Sequence, residues 1–267
     1  MSSYGIKSGG KVSFKDLGPQ IGYRLVFIVE YAGPLLFVLA YAALRTRSPE
    51  LLYGAAAKGK TELSAAALLG VACWCLHFLK REFETLFVHK FSRPTMPLSN
   101  LFKNCMYYWY VRARSAFTHS NHIFLTIPSV YYRCFGAVIG YPLCAPSYAA
   151  PAAAQVHAGL AIFALSELGN LICHIMLSTL RPADGSTKRP IPSGFLFNFV
   201  ACPNYTFEVL SWVGFSIMTN IAVAYLFTAV GFYQMTVWAL KKHKEYKKTY
   251  DKEYTSLRRK AIVPFLL

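Results

Sequence analysis

Apolar runs of bilayer length, each broken by one or two ionisable residues, constrain this chain more than any other feature. The first, Tyr23–Leu44 (YRLVFIVEYAGPLLFVLAYAAL), is long enough to cross a hydrocarbon core of about 30 Å, and Glu30 and Pro34 interrupt it. The second, Leu63–Leu79, runs into KREFETLFVHKFS, a basic amphipathic extension suited to a helix leaving the bilayer at its interface. Residues 105–150 mix a short aromatic run (CMYYWYV), a polar stretch (RARSAFTHSNH) and a Pro- and Gly-broken apolar run (IFLTIPSVYYRCFGAVIGYPLCA). A further span covers Val156–Leu180. After the polar loop RPADGSTKRPIPSG come Phe195–Ala201 and then Val209–Leu240, a stretch long enough for two spans with little loop between them. A chain that is 55% hydrophobic, with a mean hydropathy of +0.34, is expected to be all-α, a polytopic membrane helix bundle with six or seven transmembrane helices and no internal repeat.

The formal net charge of +16 fits the same picture, because Lys and Arg collect in the loops and tails that stay cytosolic. Lys241–Lys260, dense in Lys, Arg and Tyr, is expected in the cytosol against anionic headgroups. Nucleic-acid binding would also need basic charge, but not several bilayer-length apolar runs, so it is set aside. The seven cysteines are scattered and mostly lie in apolar segments, where they act as small hydrophobes rather than a disulfide framework. Residues 1–20 are polar and Gly/Ser-rich with no cleavable signal, which leaves the first apolar span to direct insertion. The chain therefore divides into a polar tail (1–20), a transmembrane domain (21–240) and a basic cytosolic tail (241–267).

Several patterns look like chemistry without the context that chemistry needs. Gly54–Thr61 (GAAAKGKT) matches the phosphate-cradling G-x-x-x-x-G-K-[ST] pattern, but it sits in a short inter-span loop with no strand ahead of it. Asn204–Thr206 (NYT) matches a glycosylation sequon but adjoins an apolar segment. Cys73, Cys75 and His77 would share a face only on a strand, and their segment is helical in character. His119 and His122 make a lone H-x-x-H, which is too little for a histidine-box iron site, so no metal is expected. No G-x-G-x-x-G follows a strand, which excludes a Rossmann domain.

Ionisable and amide groups at membrane depth are costly unless partnered, and this makes them functional candidates. Glu30 lies mid-span. Lys80 and Glu84 are four residues apart where the second span exits, on one helical face. Asn170 and His174 share a face, with Arg181 about two turns on. FVACPNYTFEVLSW (199–212) places Asn204, Tyr205 and Glu208 where a lipid-facing helix would carry leucine. Each has a structural reading as ion pair, interhelical glue or aromatic belt. Their recurrence in several spans is what suggests convergence on one site.

IPSGFLFNFVACPNYTFEVLSW and the terminal HKEYKKTYDKEYTSLRRKAIVPFLL resemble the steroid 5α-reductase superfamily. With KDLGPQIGYRLVFIVEYAGPLLF, LKREFETLFVHKFSRPTMPLSNLFKNCMYYW and ELGNLICHIMLSTLRPA, the pattern is similar over most of residues 14–267 to the very-long-chain trans-2-enoyl-CoA reductases of the endoplasmic reticulum. The resemblance implies NADPH-dependent reduction of the 2,3 double bond of a trans-2-enoyl-CoA, the last step of each fatty-acid elongation cycle. It implies Tyr205 as the catalytic group. A phenol could stabilise the charge that gathers on the thioester oxygen or supply the α-carbon proton. Lys80, in the family's lysine position, could lower the tyrosine's pKa or hold a phosphate, and Glu30 would orient substrate or proton. The implied cofactor contacts are Asn170, His174, Arg181, Asn204, Glu208, His243 and Tyr246, with Arg258, Arg259 and Lys260 available to phosphates or to headgroups. The implied location is multi-pass in the endoplasmic reticulum membrane with a cytosolic C-terminal tail. The implied partners are acyl-CoA, membrane lipids and the condensing enzyme, ketoacyl-CoA reductase and dehydratase of elongation.

Two departures from the pattern are visible. Family members carry a ubiquitin-like domain ahead of the FKDLG block, where this sequence has a short polar tail. Val111–Cys134 has no family counterpart and is read as an insert, either a lineage-specific loop or unspliced sequence. Two other functions remain open: reduction of a steroid or polyprenol by a member of the same superfamily, and a non-catalytic scaffold of the elongation assembly, for which Tyr205 and Lys80 would be dispensable. A transporter would need broken helices repeated in two halves, and none is seen.

Overall fold

The computed structural model describes residues 16, 18–91, 94–98, 127–180 and 190–267, and the side chains of 127–134 fall outside that description. Arg181, His119, His122 and residues 111–126 of the expected insert therefore lie outside the described residues. The elements are a strand β1 (Gln20–Gly22), α1 (Tyr23–Arg47), a single turn α2 (Glu50–Tyr53), α3 (Ala65–Phe83), β2 (Thr95–Pro97), α4 (Ile127–Leu143), α5 (Ala153–Thr179), α6 (Pro203–Thr219) and α7 (Ala222–Thr255). The all-α expectation holds apart from a two-stranded antiparallel ribbon, in which Ile21 of β1 lies opposite Met96 of β2. Val209–Leu240 does divide between two helices. Asn220, in left-handed conformation with φ 52°, breaks it, and its amide donates to the Ser216 carbonyl. α4 begins at Ile127, inside the segment read as an insert.

Consecutive long helices alternate in direction. At one end, Tyr23 at the start of α1 donates its amide to the Pro94 carbonyl, just beyond α3. At the other end, Arg45 of α1 reaches the Glu62 carbonyl just before α3, and Tyr148 and Gln155, flanking the start of α5, donate to the carbonyls of Thr219 and Ile217 at the end of α6. α1, α5 and α7 are long and apolar enough to cross a bilayer. Large apolar side chains such as Leu36, Leu68, Leu76, Leu165, Leu168 and Leu226 point outward and are more than half exposed. An apolar exterior around buried charge is the inverse of a water-soluble bundle and fits a membrane protein.

The core is aromatic. Trp74, Phe78, Trp212, Phe215 and Phe227 are all buried in one cluster, and the Trp74 indole donates to the Pro34 carbonyl at 3.1 Å. Where helices meet most closely the residues are glycines. A Cβ on Gly136 would meet Pro34 Cα at 2.9 Å, and one on Gly140 would meet the Tyr41 ring at 2.8 Å, which explains the G-x-x-x-G spacing of FGAVIG. Gly159 of α5 and Gly214 of α6 bring two backbones into contact: a Cβ on Gly214 would lie 2.5 Å from the Phe163 amide nitrogen.

Candidate active site

At the end of the bundle where α3 finishes, three helices turn polar stripes toward one another. On α3 and the turn that continues it the stripe is His77, Lys80, Arg81 and Glu84, whose spacing of three and four residues keeps them on one face. On α5 it is Glu167, Asn170 and His174. On α6 it is Asn204, Glu208 and Trp212. The opposite faces carry Leu76, Leu79, Leu165 and Leu168, all exposed.

The stripes form one connected network. Lys80 Nζ donates to Asn170 Oδ1 at 2.7 Å and forms a close ion pair with Glu167 Oε2 at 2.6 Å. The Asn170 amide donates to the Asn204 carbonyl at 2.9 Å and to Glu208 Oε2 at 3.2 Å. Arg81 spans two carboxylates, Nη1 on Glu84 at 2.9 Å and Nη2 on Glu208 at 3.1 Å. His77 faces Glu167 with Nδ1 at 2.7 Å and Glu208 with Nε2 at 3.4 Å, and the Trp212 indole donates to Glu208 Oε1 at 3.3 Å. His174 Nδ1 lies 3.0 Å from Glu84 Oε2. Three buried carboxylates thus face two fixed cations and two imidazoles, and each charge has a partner of opposite sign, the condition under which ions tolerate a dry interior.

One ligand atom from each of Glu84, His89 and His174 lies within 4.8 Å of the others. The Arg81 guanidinium already bridges Glu84 and His174 there, 3.2 Å from His174 Nδ1, so a resident cation holds the place a metal would take. Burial, together with the charges of His174 and Arg81, pushes the His89 imidazole down to about 4.

Tyr205 is placed differently. It sits in the first turn of α6 but packs toward α7, in a cluster with Ala201, Cys202, Met235, Ala239, Trp238 and Tyr246, its ring 6.1 Å from that of Trp238. The phenol is half-buried and its hydroxyl bonds to none of the described residues, whereas each charged side chain of the network beside it has a partner of opposite sign. The chain terminus fixes this turn. Ala201 and Cys202 donate their amides to the carbonyls of Lys260 and Ala261, the Lys260 amide returns to Phe199, and the Thr206 hydroxyl donates to the Ile262 carbonyl at 2.5 Å. Thr206 is thereby tied inside the bundle, which removes the sequon from any accessible loop. Gly54–Thr61 likewise has no strand before it, and the next helix begins only at Ala65.

Of the sequence candidates, the structure gathers Lys80, Asn170, His174, Asn204 and Glu208 into the network. Tyr205 and Tyr246 share the adjoining apolar cluster. His243 lies further along α7, its Nδ1 2.8 Å from the Tyr254 hydroxyl. Glu30 is buried in α1 next to Tyr31, whose ring lies 5.8 Å from the Arg81 guanidinium carbon. Arg258 and Lys260 are exposed. Arg259 is buried, its Nη1 donates to the Pro192 carbonyl at 2.6 Å, and its Nε has no hydrogen-bond partner among the described residues. His77, Arg81 and Glu167 were not among the expected site residues. The signal for them was present: His77 lies three residues before Lys80, Glu167 three before Asn170, and Arg81 four after His77, spacings that put each on the polar stripe of its helix.

Residues 94–267 match the 3-oxo-5-alpha-steroid 4-dehydrogenase family. The chain is 44% identical to a putative enoyl-CoA reductase of Trypanosoma brucei brucei over all of its own length and 79% of that protein. It is 43% identical to a very-long-chain enoyl-CoA reductase of Dictyostelium discoideum, covering 95% of this chain and 73% of the relative. A probable very-long-chain enoyl-CoA reductase of Caenorhabditis elegans is 44% identical over all of this chain and 79% of its own. With a family match across the whole C-terminal part and relatives of this identity along its full length, the chain belongs to the 3-oxo-5-alpha-steroid 4-dehydrogenase family, in company with its enoyl-CoA reductases.

Proposed function

We propose that the protein reduces the 2,3 double bond of a long-chain trans-2-enoyl-CoA with NADPH, closing a cycle of fatty-acid elongation. The observation that carries the reading is the unbonded Tyr205 hydroxyl, half-buried beside a network in which the other polar groups are already engaged, in a chain with full-length enoyl-CoA reductase relatives. NADPH, when bound, supplies the hydride for the β-carbon. The residues available for its phosphates lie where the terminus meets α6: buried Arg259, whose Nε is orphaned, with Arg258 and Lys260 exposed on either side.

Negative charge then develops on the thioester oxygen. A phenol held among Trp238, Met235 and Tyr246, with no acceptor among the described residues, can donate to that oxygen or deliver the α-carbon proton. Lys80 acts at one remove, since its ammonium is committed to Glu167 and Asn170. It locks α3 to α5, and Asn170 in turn holds the Asn204 carbonyl in the first turn of α6, one residue from Tyr205. Glu30 is proposed to orient substrate from α1.

Six alternating long helices are proposed to cross the membrane of the endoplasmic reticulum, with the charged network, the α7 basic end and the terminus on the cytosolic side, where NADPH and acyl-CoA are found. The other elongation enzymes are the proposed partners. The test uses microsomes containing the full chain. A long-chain trans-2-enoyl-CoA should yield saturated acyl-CoA with NADPH, and Tyr205→Phe should abolish the product while the protein level holds. Product from a 4-ene-3-ketosteroid but not from the enoyl-CoA would reject the substrate assignment.

A further inference from the structure

At the end of the bundle opposite the charged network, α1 finishes and α3 begins around a cavity of about 130 Å³, lined by Arg45, Glu62, Ser64, Ala67, Ala145 and Tyr148 among others. On this measure a water needs roughly 10–15 Å³, so the space admits a tetrahedral anion together with water.

Arg45 is only 5% exposed. Its Nη2 donates to the Glu62 main-chain oxygen at 2.7 Å, while among the described residues Nε and Nη1 are buried without hydrogen-bond partners and no carboxylate pairs with it. Arg45 is in the last turn of α1, where the negative end of the helix dipole offsets part of the charge. Every other buried cation described here is matched by a carboxylate or an aromatic face. A buried guanidinium lacking a counter-charge is a standing electrostatic cost.

The opposing wall supplies a second, independent feature. Ser64 caps the 19-residue α3, its Oγ accepting from the Ala67 amide at 3.2 Å, so the positive end of that helix opens onto the same cavity. Tyr148 takes no part, since its hydroxyl donates to the Thr219 carbonyl at 2.9 Å.

We propose that this cavity binds a phosphate-bearing anion as the counter-charge to Arg45. A lipid phosphate headgroup and free phosphate present the same chemistry, and the experiment separates them. The full chain in detergent is unfolded thermally with inorganic phosphate, with sodium chloride at matched ionic strength, and in micelles doped with phosphatidic acid. Wild type should gain a saturable rise in unfolding temperature over the chloride control. Arg45→Gln should weaken the apparent affinity about ten- to a hundredfold. Ala145→Met, which narrows the cavity and keeps the cation, should weaken it too, and it carries the test alone if Arg45→Gln does not fold. A rise with phosphatidic acid that excess inorganic phosphate reverses identifies a headgroup site. A rise with inorganic phosphate alone identifies a free-anion site. No rise over chloride, or an equal rise in wild type and Ala145→Met, overturns the proposal.

Discussion

Gly214→Ala tests the packing on which the site depends. The new methyl would lie 2.5 Å from the Phe163 amide nitrogen, 2.7 Å from the Gly159 carbonyl oxygen and 3.0 Å from Phe163 Cα, all of them backbone atoms that no rotamer change can move. Restoring ordinary contact at 3.4 Å requires α5 and α6 to separate by roughly 0.9 Å there. Overpacking of this kind costs about 1–3 kcal/mol, and two rigid backbones place this case at the upper end. On the scaling for chains of this size, about 3 kcal/mol lowers the unfolding temperature by roughly 6–12 °C. The same separation, carried along the helix pair, would stretch the Asn170–Asn204 bond from 2.9 Å and the Asn170–Glu208 bond from 3.2 Å toward or past the limit of a hydrogen bond. Reductase activity should therefore fall together with stability. Gly70→Ala is the control, because its Cβ meets only side-chain tips, Leu143 at 3.0 Å and Thr219 at 3.1 Å, which can yield. Thermal unfolding of both variants in detergent, with product formation measured alongside, decides the matter. If Gly214→Ala melts with wild type, α5 and α6 are not in backbone contact and the reasoning fails.

Glu208→Leu removes the acceptor shared by Arg81, Asn170, Trp212 and His77, and depriving the partly buried Arg81 guanidinium and the buried His77 of that carboxylate should cost about 3 kcal/mol, seen as a lowered midpoint in thermal unfolding. Tyr205→Phe should leave the midpoint within about 0.5 kcal/mol of wild type, since the hydroxyl has no bond to lose, while product formation collapses. Deleting residues 261–267 removes the acceptors for Cys202 and Thr206, so activity should drop even in protein that still extracts as a folded species. His89, held near 4 in the fold against an ordinary value of about 6.5, stays neutral while the unfolded chain takes up a proton, so stability should decline as pH falls from about 6.5 toward 4. In His89→Phe that part of the slope should vanish; an unchanged slope would exonerate His89.

The helices themselves were legible in the sequence. Tyr23–Leu44, Leu63–Leu79 and Val156–Leu180 each fall within a few residues of α1, α3 and α5, because a segment with no water around it must satisfy its backbone internally and has only the helix available. The candidate site was legible in its parts. Lys80, Asn170, His174 and Glu208 stood out as polar groups too costly to leave unpaired in an apolar run, and the tertiary structure pairs their side chains, while Asn204 joins through its main-chain carbonyl.

What the sequence could not decide is which stripe faces which, since contact between α3, α5 and α6 is set by interhelix packing rather than by local pattern. Two glycines, Gly159 and Gly214, fix how closely α5 and α6 approach, and that approach lets Asn170 reach the Asn204 carbonyl and Glu208. Equally, only the fold shows the terminal residues clamped to the start of α6, or Arg45 buried without a counter-charge far along the chain from the residues that enclose it. Hydropathy and spacing determine what must be buried. The partner of each buried charge is decided by which backbones can touch.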